Sequence, residues 1–189
     1  MRIGLFGGSF NPPHAGHVLV TTTALRRLRL DKVWWLVTPG NPLKDNHALP
    51  PLAERMAACR NLLRDPRVAV TGIEASIGAR YTLDTITWLR RRAPGVHFVW
   101  IMGADNLAGF HRWQGWRRIA GLVPIAVVDR PGATLKGVRN RAAAALAPWR
   151  LEESDAVLLP GHRPPAWIFL HGPRSVVSST QLRKRAGKA

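Results

Sequence analysis

The chain has 189 residues, 46% of them hydrophobic, enough for a substantial core but short for two full-sized domains, so a single domain over 1–189 is expected. With 28 Lys and Arg against 11 Asp and Glu, the formal net charge is +17, a field that attracts phosphates, nucleic acid or acidic lipid without choosing among them. The lone cysteine, Cys59, excludes an intramolecular disulfide and a cysteine-rich metal site, fits a reducing cytosol, and reads as a core residue on a helix. No apolar run approaches the roughly 20 residues of a spanning helix, and the chain opens on a strand rather than a basic-then-apolar leader, so a cytoplasmic protein without a membrane partner is expected.

Short runs rich in Val, Ile, Phe and Trp at residues 2–6, 33–38, 68–71, 97–102, 123–128 and 166–170 read as buried strands. Helical stretches fall between them at 17–30, 51–64, 82–92, 113–120 and 135–146. Strands joined through helical crossovers lie parallel, with right-handed connections. The expected fold is therefore α/β, a Rossmann-like parallel sheet of about five to six strands with helices on both faces. Such sheets bind ligands beyond the carboxyl ends of their strands, so the segments that follow the strands hold the candidate site.

The first of these segments runs Gly7-Gly8-Ser9-Phe10-Asn11-Pro12-Pro13-His14-Ala15-Gly16-His17. Gly7 and Gly8 clear side chains from a backbone that must approach a phosphate or ribose, and permit positive φ in a tight turn. Gly16, at the start of the helix, lets a ligand lie close to the first unpaired N–H groups, whose partial positive charge favours anions. His14 and His17, three apart, can point the same way and offer N–H donors to phosphate oxygens. An isolated His-x-x-His pair also suits a metal site or a plain helix start. The flanking glycines, prolines and strand, and the lack of a nearby third ligand, weigh toward phosphate. Neither a Walker loop nor Gly-x-Gly-x-x-Gly is present.

The later segments are ambiguous by themselves. Lys44 follows the second strand in Asn41-Pro42-Leu43-Lys44 and reads as a solvated loop lysine. In Tyr81-Thr82-Leu83-Asp84-Thr85, Thr82 opens a helix with an acid in its first turn, which is ordinary capping. Past the fourth strand come Gly103, Asp105 and Trp113. Gly103 could admit a base or sugar, Asp105 could hold hydroxyls or cap a helix, and Trp113 could stack on a ring or fill the core. Arg130 follows the fifth strand in Asp129-Arg130-Pro131-Gly132. Near the end, Ser178, Ser179 and Thr180 precede a short helix, where they are either a simple N-cap or one side of an anion site with Arg183 as clamp.

Taken together, Gly7 to His17 resembles the phosphate-binding signature of the nucleotidyltransferase superfamily marked by His/Thr-x-Gly-His. The Gly-Gly-Ser-Phe-Asn-Pro-Pro-His-x-Gly-His form is similar to the nicotinate-nucleotide adenylyltransferase family, and the likeness runs from the first strand to Arg183. Val176-Val177-Ser178-Ser179-Thr180-Gln181-Leu182-Arg183 resembles that family's Ile-Ser-Ser-Thr-x-x-Arg, with Val177 in place of Ile. The resemblance implies adenylyl transfer from ATP to nicotinate mononucleotide, giving the dinucleotide precursor of NAD and pyrophosphate. It implies that Gly8, Ser9, Phe10, His14, Gly16, His17, Gly103, Asp105, Ser178, Ser179, Thr180 and Arg183 hold ATP. It further implies that Lys44, Thr82, Asp105 and Trp113 hold the acceptor, Thr82 at the nicotinate carboxylate and Trp113 stacked on the ring. The Arg130-Pro131-Gly132 segment also matches, in a role that can be structural.

The implied reaction is in-line attack of an acceptor phosphate on the α-phosphorus of ATP. It needs no protein nucleophile and little general-base help, because the acceptor is already ionised. His14, His17 and Arg183 would act as catalytic anion donors, and Mg²⁺ would be delivered with ATP rather than held by a carboxylate cluster. Within the enzyme class, nicotinamide mononucleotide or phosphopantetheine are alternative acceptors. From another class, the basic runs Arg90-Arg91-Arg92 and Arg183-Lys184-Arg185 suggest a nucleic-acid-binding module. They are scattered over several helices without interleaved aromatics, so a nucleic-acid partner is not the expectation. A monomer or homodimer is expected.

Overall fold

All six apolar runs form strands of one parallel sheet, in the order β3-β2-β1-β4-β5-β6. The computed structural model describes residues 1–40, 49–129 and 140–172. In chain order the elements are β1 (Arg2–Gly8), α1 (Ala15–Arg27), β2 (Lys32–Val37), α2 (Leu52–Leu62), β3 (Val68–Thr71), α3 (Ile73–Ser76) and α4 (Thr82–Arg92). They continue with β4 (His97–Gly103), α5 (Ala104–Gly109), α6 (Trp116–Leu122), β5 (Ile125–Val128), α7 (Arg141–Leu146) and β6 (Trp167–Leu170). The order reverses between β1 and β4, the switch point at which a Rossmann-like sheet opens a crevice for ligand. Among the described residues, no helix is long and apolar enough to cross a membrane.

Period-two alternation along the strands builds a core on each face. On one, Ile3, Leu5, Phe98, Trp100 and Met102 pack with Leu83, Ile86 and Leu89 of α4 and Ile119 of α6. On the other, Phe6, Val99 and Ile101 pack with Val20, Ala24 and Leu25 of α1, Cys59 of α2 and Leu159. Cys59 is fully buried, and burial pushes its thiol up to about 12, so it serves as a small core apolar group.

Several element ends differ from the sequence expectation, each for a local reason. The first strand runs on to Gly8 because Gly7 and Gly8 stay paired with Leu36 and Val37. The fifth strand starts at Ile125, since Pro124 has no N–H to give and uses only its carbonyl, which accepts from the Trp100 N–H at 2.9 Å. The sixth helix starts at Trp116, after Gly115 turns the chain at φ 64. Of the helix expected at 135–146, the described part is α7, whose start is set by Asn140 accepting from Ala142 and Ala143 N–H. Helices α3 and α5 are too short to leave a periodic signal in the sequence.

Two glycines make the packing testable. A Cβ at Gly4 would overlap Ile101 Cδ1 and come within 2.8 Å of Leu30 Cδ1, whereas at Gly121 it would meet nothing within 4 Å. Gly4→Ala is expected to cost about 1–3 kcal/mol through overpacking. Gly121→Ala, in helix α6, is expected to gain about 0.5–1 kcal/mol. Urea unfolding midpoints that moved the same way in both variants would contradict this packing.

Candidate active site

The first loop leaves the sheet at the switch point and is set by its own packing. Gly7 is needed for space, because a Cβ there would lie 2.7 Å from Trp100 Cη2. The positive φ expected of the glycines is taken instead by Phe10, at φ 46. Its ring is buried and stacks on Trp35 with centroids 4.6 Å apart and planes at 11°. Burial of a large aromatic side chain offsets the cost of about 1–2 kcal/mol for a left-handed non-glycine residue. A cis Asn11–Pro12 bond follows.

The two histidines then close the start of α1 on each other. His14 is the N-cap, and its Nδ1 accepts from the Gly16 N–H at 3.1 Å. His17, three residues on, accepts the His14 N–H on its own Nδ1 at 3.1 Å. This is a capping box in which imidazoles replace the usual hydroxyl and carboxyl. A ring nitrogen that accepts carries no hydrogen, so both neutral rings bear their proton on Nε2. The rings lie 3.8 Å apart, centroid to centroid. The ring of His17 is further held among Phe10 at 4.9 Å, Trp35 at 5.9 Å and Phe6 at 6.0 Å. No acid stands in the first turn of α1, so none of its own carboxylates offsets the positive end of the helix dipole.

Arg55, which the sequence reading passed over, braces this loop from α2. It is buried, and its guanidinium donates to the carbonyls of Pro50, Ser9 and Thr38, each at 2.8 Å, and of Pro39 at 3.4 Å. Burial holds it below the ordinary guanidinium range. One cation thus ties the carbonyl of Ser9 in the first loop to the end of β2. Its sequence signal was a charged residue one helical turn before Cys59 on the same face of α2.

On the other side of the crevice, β4 runs alongside β1 with Phe6 opposite Ile101, and in that register Gly8 and Gly103 end the two strands together. Gly103 is the N-cap of α5. Asp105 is therefore not the cap that one reading offered. It stands exposed in the helix's first turn. Trp113 is half-buried, edge-on to Trp100 at 6.1 Å and to Phe110 at 5.4 Å. Thr82 begins α4, but the cap there is made by Asp84, which accepts from the Tyr81 N–H at 3.0 Å. A Cβ on Gly115 would lie 2.6 Å from Leu83 Cδ2, so the first turn of α4 abuts the Trp113 turn. Behind it, Glu74 of α3 is buried and accepts from Thr85 Oγ1 at 3.2 Å. Burial raises its carboxyl above the usual range.

The described structure thus gathers Gly8, Ser9, Phe10, His14, Gly16 and His17 at one strand end and Gly103 and Asp105 at its neighbour's. Thr82 starts α4 and Trp113 lies in the turn before α6, on segments that abut through Leu83 and Gly115. Lys44, Arg130, Ser178, Ser179, Thr180 and Arg183 lie outside the described residues.

Residues 5–185 match the family model described as cytidylyltransferase-like. The chain is 63% identical over 185 residues to a protein of Methylorubrum extorquens (strain PA1) named probable nicotinate-nucleotide adenylyltransferase, covering 98% of this chain and 100% of that one. The chain belongs to the nicotinate and nicotinamide mononucleotide adenylyltransferase family. A Brucella abortus (strain 2308) relative of the same printed name is 56% identical, with coverage of 97% and 95%. Among solved structures, Plasmodium falciparum nicotinic acid mononucleotide adenylyltransferase complexed with APC superposes with a TM-score of 0.70 at 14% identity, over 97% of this chain and 82% of that one. That likeness establishes shared fold. As a member of this adenylyltransferase family, the chain is a nucleotidyltransferase of NAD biosynthesis.

The Arg55 brace yields a prediction. Arg55→Met keeps most of the side chain's bulk but removes every donor, leaving buried carbonyls unsatisfied. It is expected to lower stability by about 2–4 kcal/mol and to speed amide exchange in the first loop. An unfolding midpoint equal to wild type would contradict the role.

Proposed function

We propose that this enzyme transfers the adenylyl group of ATP to nicotinate mononucleotide, forming nicotinate adenine dinucleotide and pyrophosphate. The observation that carries the reading is the His14–His17 capping box at the start of α1, with both imidazoles bearing Nε2–H at an electropositive helix end beside the switch point. An acceptor phosphate oxygen attacks the α-phosphorus while the bond to the bridging oxygen of the β-phosphate breaks, and the electron pair leaves with pyrophosphate. No proton has to be removed from the nucleophile. Catalysis then rests on positioning and on donors aimed at developing negative charge.

In this reading His14, His17 and Arg183 contact the phosphates in transfer. Gly8, Ser9, Gly16, Gly103 and the backbone of Phe10 line ATP, with Asp105 on ribose and Ser178, Ser179 and Thr180 closing its far side. Lys44, Thr82, Asp105 and Trp113 hold the acceptor, with Trp113 against the pyridine ring and Thr82 at its carboxylate. Among the described residues no group of three or more His, Cys, Asp or Glu is placed to hold a metal. Phosphate oxygens are themselves good Mg²⁺ ligands, so an Mg²⁺ ion brought in on ATP would supply charge neutralisation at the leaving phosphates. The +17 charge steers both anionic nucleotides toward the surface.

The test is pyrophosphate release with ATP, Mg²⁺ and, separately, nicotinate mononucleotide, nicotinamide mononucleotide and phosphopantetheine. Release should be fastest with the first. A preference for either of the others would overturn the acceptor assignment, and no release with any would overturn the reaction. Loss of one positioned anion donor should be costly, so His17→Ala is expected to reduce turnover by about 100-fold or more while remaining folded. A folded His17→Ala enzyme with near-normal turnover would remove His17 from the mechanism.

A further inference from the structure

Thr21 stands one helical turn after His17 on α1 and is buried. Its hydroxyl is held on two sides. The indole Nε1 of Trp35 on β2, which can only donate, donates to Thr21 Oγ1 at 2.8 Å. Thr21 Oγ1 in turn donates to the His17 carbonyl, which can only accept, at 2.8 Å. A threonine hydroxyl has one hydrogen, so the direction of this chain is fixed, from the indole through the hydroxyl to the carbonyl of His17. Consecutive hydrogen bonds of this kind polarise and strengthen one another where water is excluded. For a helix alone, a hydroxyl bonded back to the carbonyl four residues earlier is slightly destabilising, so helix stability does not account for Thr21.

The same indole reaches the ring of His17 as well. Trp35 is fully buried and lies opposite Phe6 in the sheet register. Its face stacks on Phe10, its edge meets the His17 ring at 5.9 Å, and Phe10 meets that ring at 4.9 Å. The one polar atom of the indole is its N–H, so the bond to Thr21 sets how the indole sits within this aromatic group. We infer that the Thr21 hydroxyl, held by the Trp35 indole, positions His17. The hydrogen-bond chain grips the His17 peptide by its carbonyl while the aromatic rings grip its side chain. Nδ1 then stays on the His14 N–H at 3.1 Å, and Nε2–H keeps one direction. Thr21 is thus a positioning residue that acts through His17, and its effect on turnover rests on the reading under Proposed function.

Two variants and one spectrum test it. Thr21→Val keeps the shape and removes the hydroxyl, whereas Thr21→Ser keeps the hydroxyl. Thr21→Val is expected to lower kcat about tenfold by misdirecting His17, with KM for ATP and for the acceptor nucleotide changed less than about twofold. Thr21→Ser is expected to return kcat to within about threefold of wild type. A wild-type kcat in folded Thr21→Val, a Thr21→Ser enzyme as slow as Thr21→Val, or a loss that falls on KM instead of kcat would each overturn the inference and reduce Thr21 to an acceptor for the Trp35 N–H. If Thr21→Val fails to fold because that N–H is left without an acceptor, Thr21→Val combined with Trp35→Phe removes both partners and carries the same expectations. Independently of the reaction, long-range ¹H–¹⁵N correlation on histidine-labelled protein reads His17 directly, its signals identified by their loss in His17→Ala. Wild type and Thr21→Ser should show the Nε2–H tautomer, and Thr21→Val should move the Nδ1 signal toward that of a ring exchanging between tautomers. A Thr21→Val spectrum that superposes on wild type overturns the positioning role. If wild type releases no pyrophosphate with any acceptor, the proposed function fails, while this spectrum still decides whether Thr21 holds His17.

Discussion

The reciprocal capping of His14 and His17 is the constraint on which the site depends. A helix start leaves N–H groups that must find acceptors, and here the acceptors are two imidazole Nδ1 atoms. Satisfying the backbone in this way fixes which ring nitrogen carries the proton. The same hydrogen bonds that begin α1 thus convert both side chains into Nε2 donors before any substrate arrives. In the proposed adenylyl transfer, preorganisation of this kind would spare reorganisation when charge develops on the phosphate. Around it, Phe10 on Trp35 and the aromatic box about His17 lock ring orientation, and the Arg55 guanidinium holds the loop's carbonyls from behind.

A second constraint is charge. A strongly cationic chain, an α1 start without its own acid, and a buried arginine satisfied by carbonyls all favour anionic ligands at the same strand ends. Buried carboxyls would work against this. Glu74 is buried with the Thr85 hydroxyl as a donor, and burial raises its carboxyl, which disfavours the charged form. Asp105, the acid nearest the strand end of β4, is instead exposed, where water screens it.

Much of the fold was legible because short apolar runs separated by helical stretches admit few arrangements besides a parallel sheet. The six runs at 2–6, 33–38, 68–71, 97–102, 123–128 and 166–170 each correspond to a strand. What escaped was whatever tertiary contact decides. Gly7 and Gly8 looked like turn residues, yet they remain in the sheet, Gly7 beneath the Trp100 ring, and the left-handed turn falls on Phe10. Phe10 can accept that conformation only because Trp35, distant in sequence, stacks on it. The pairing of His14 with His17 was legible from spacing, but their capping roles were not, since histidine is an unusual residue for either position of a capping box. Arg55 and Glu74 gave no motif at all. A single arginine or glutamate on a helix normally reads as solvated, and only the packing shows each to be buried with backbone carbonyl or hydroxyl partners.

The protonation pattern of the two histidines is the most direct test of this picture. Long-range ¹H–¹⁵N correlation on histidine-labelled protein should show His14 and His17 in the free enzyme as neutral Nε2–H tautomers, and Mg²⁺-ATP should shift the Nε2 signals far more than those of Nδ1. Either ring found as the Nδ1–H tautomer or as imidazolium at neutral pH would contradict the capping box. A nucleotide-induced shift confined to Nδ1 would contradict its use as a donor to phosphate.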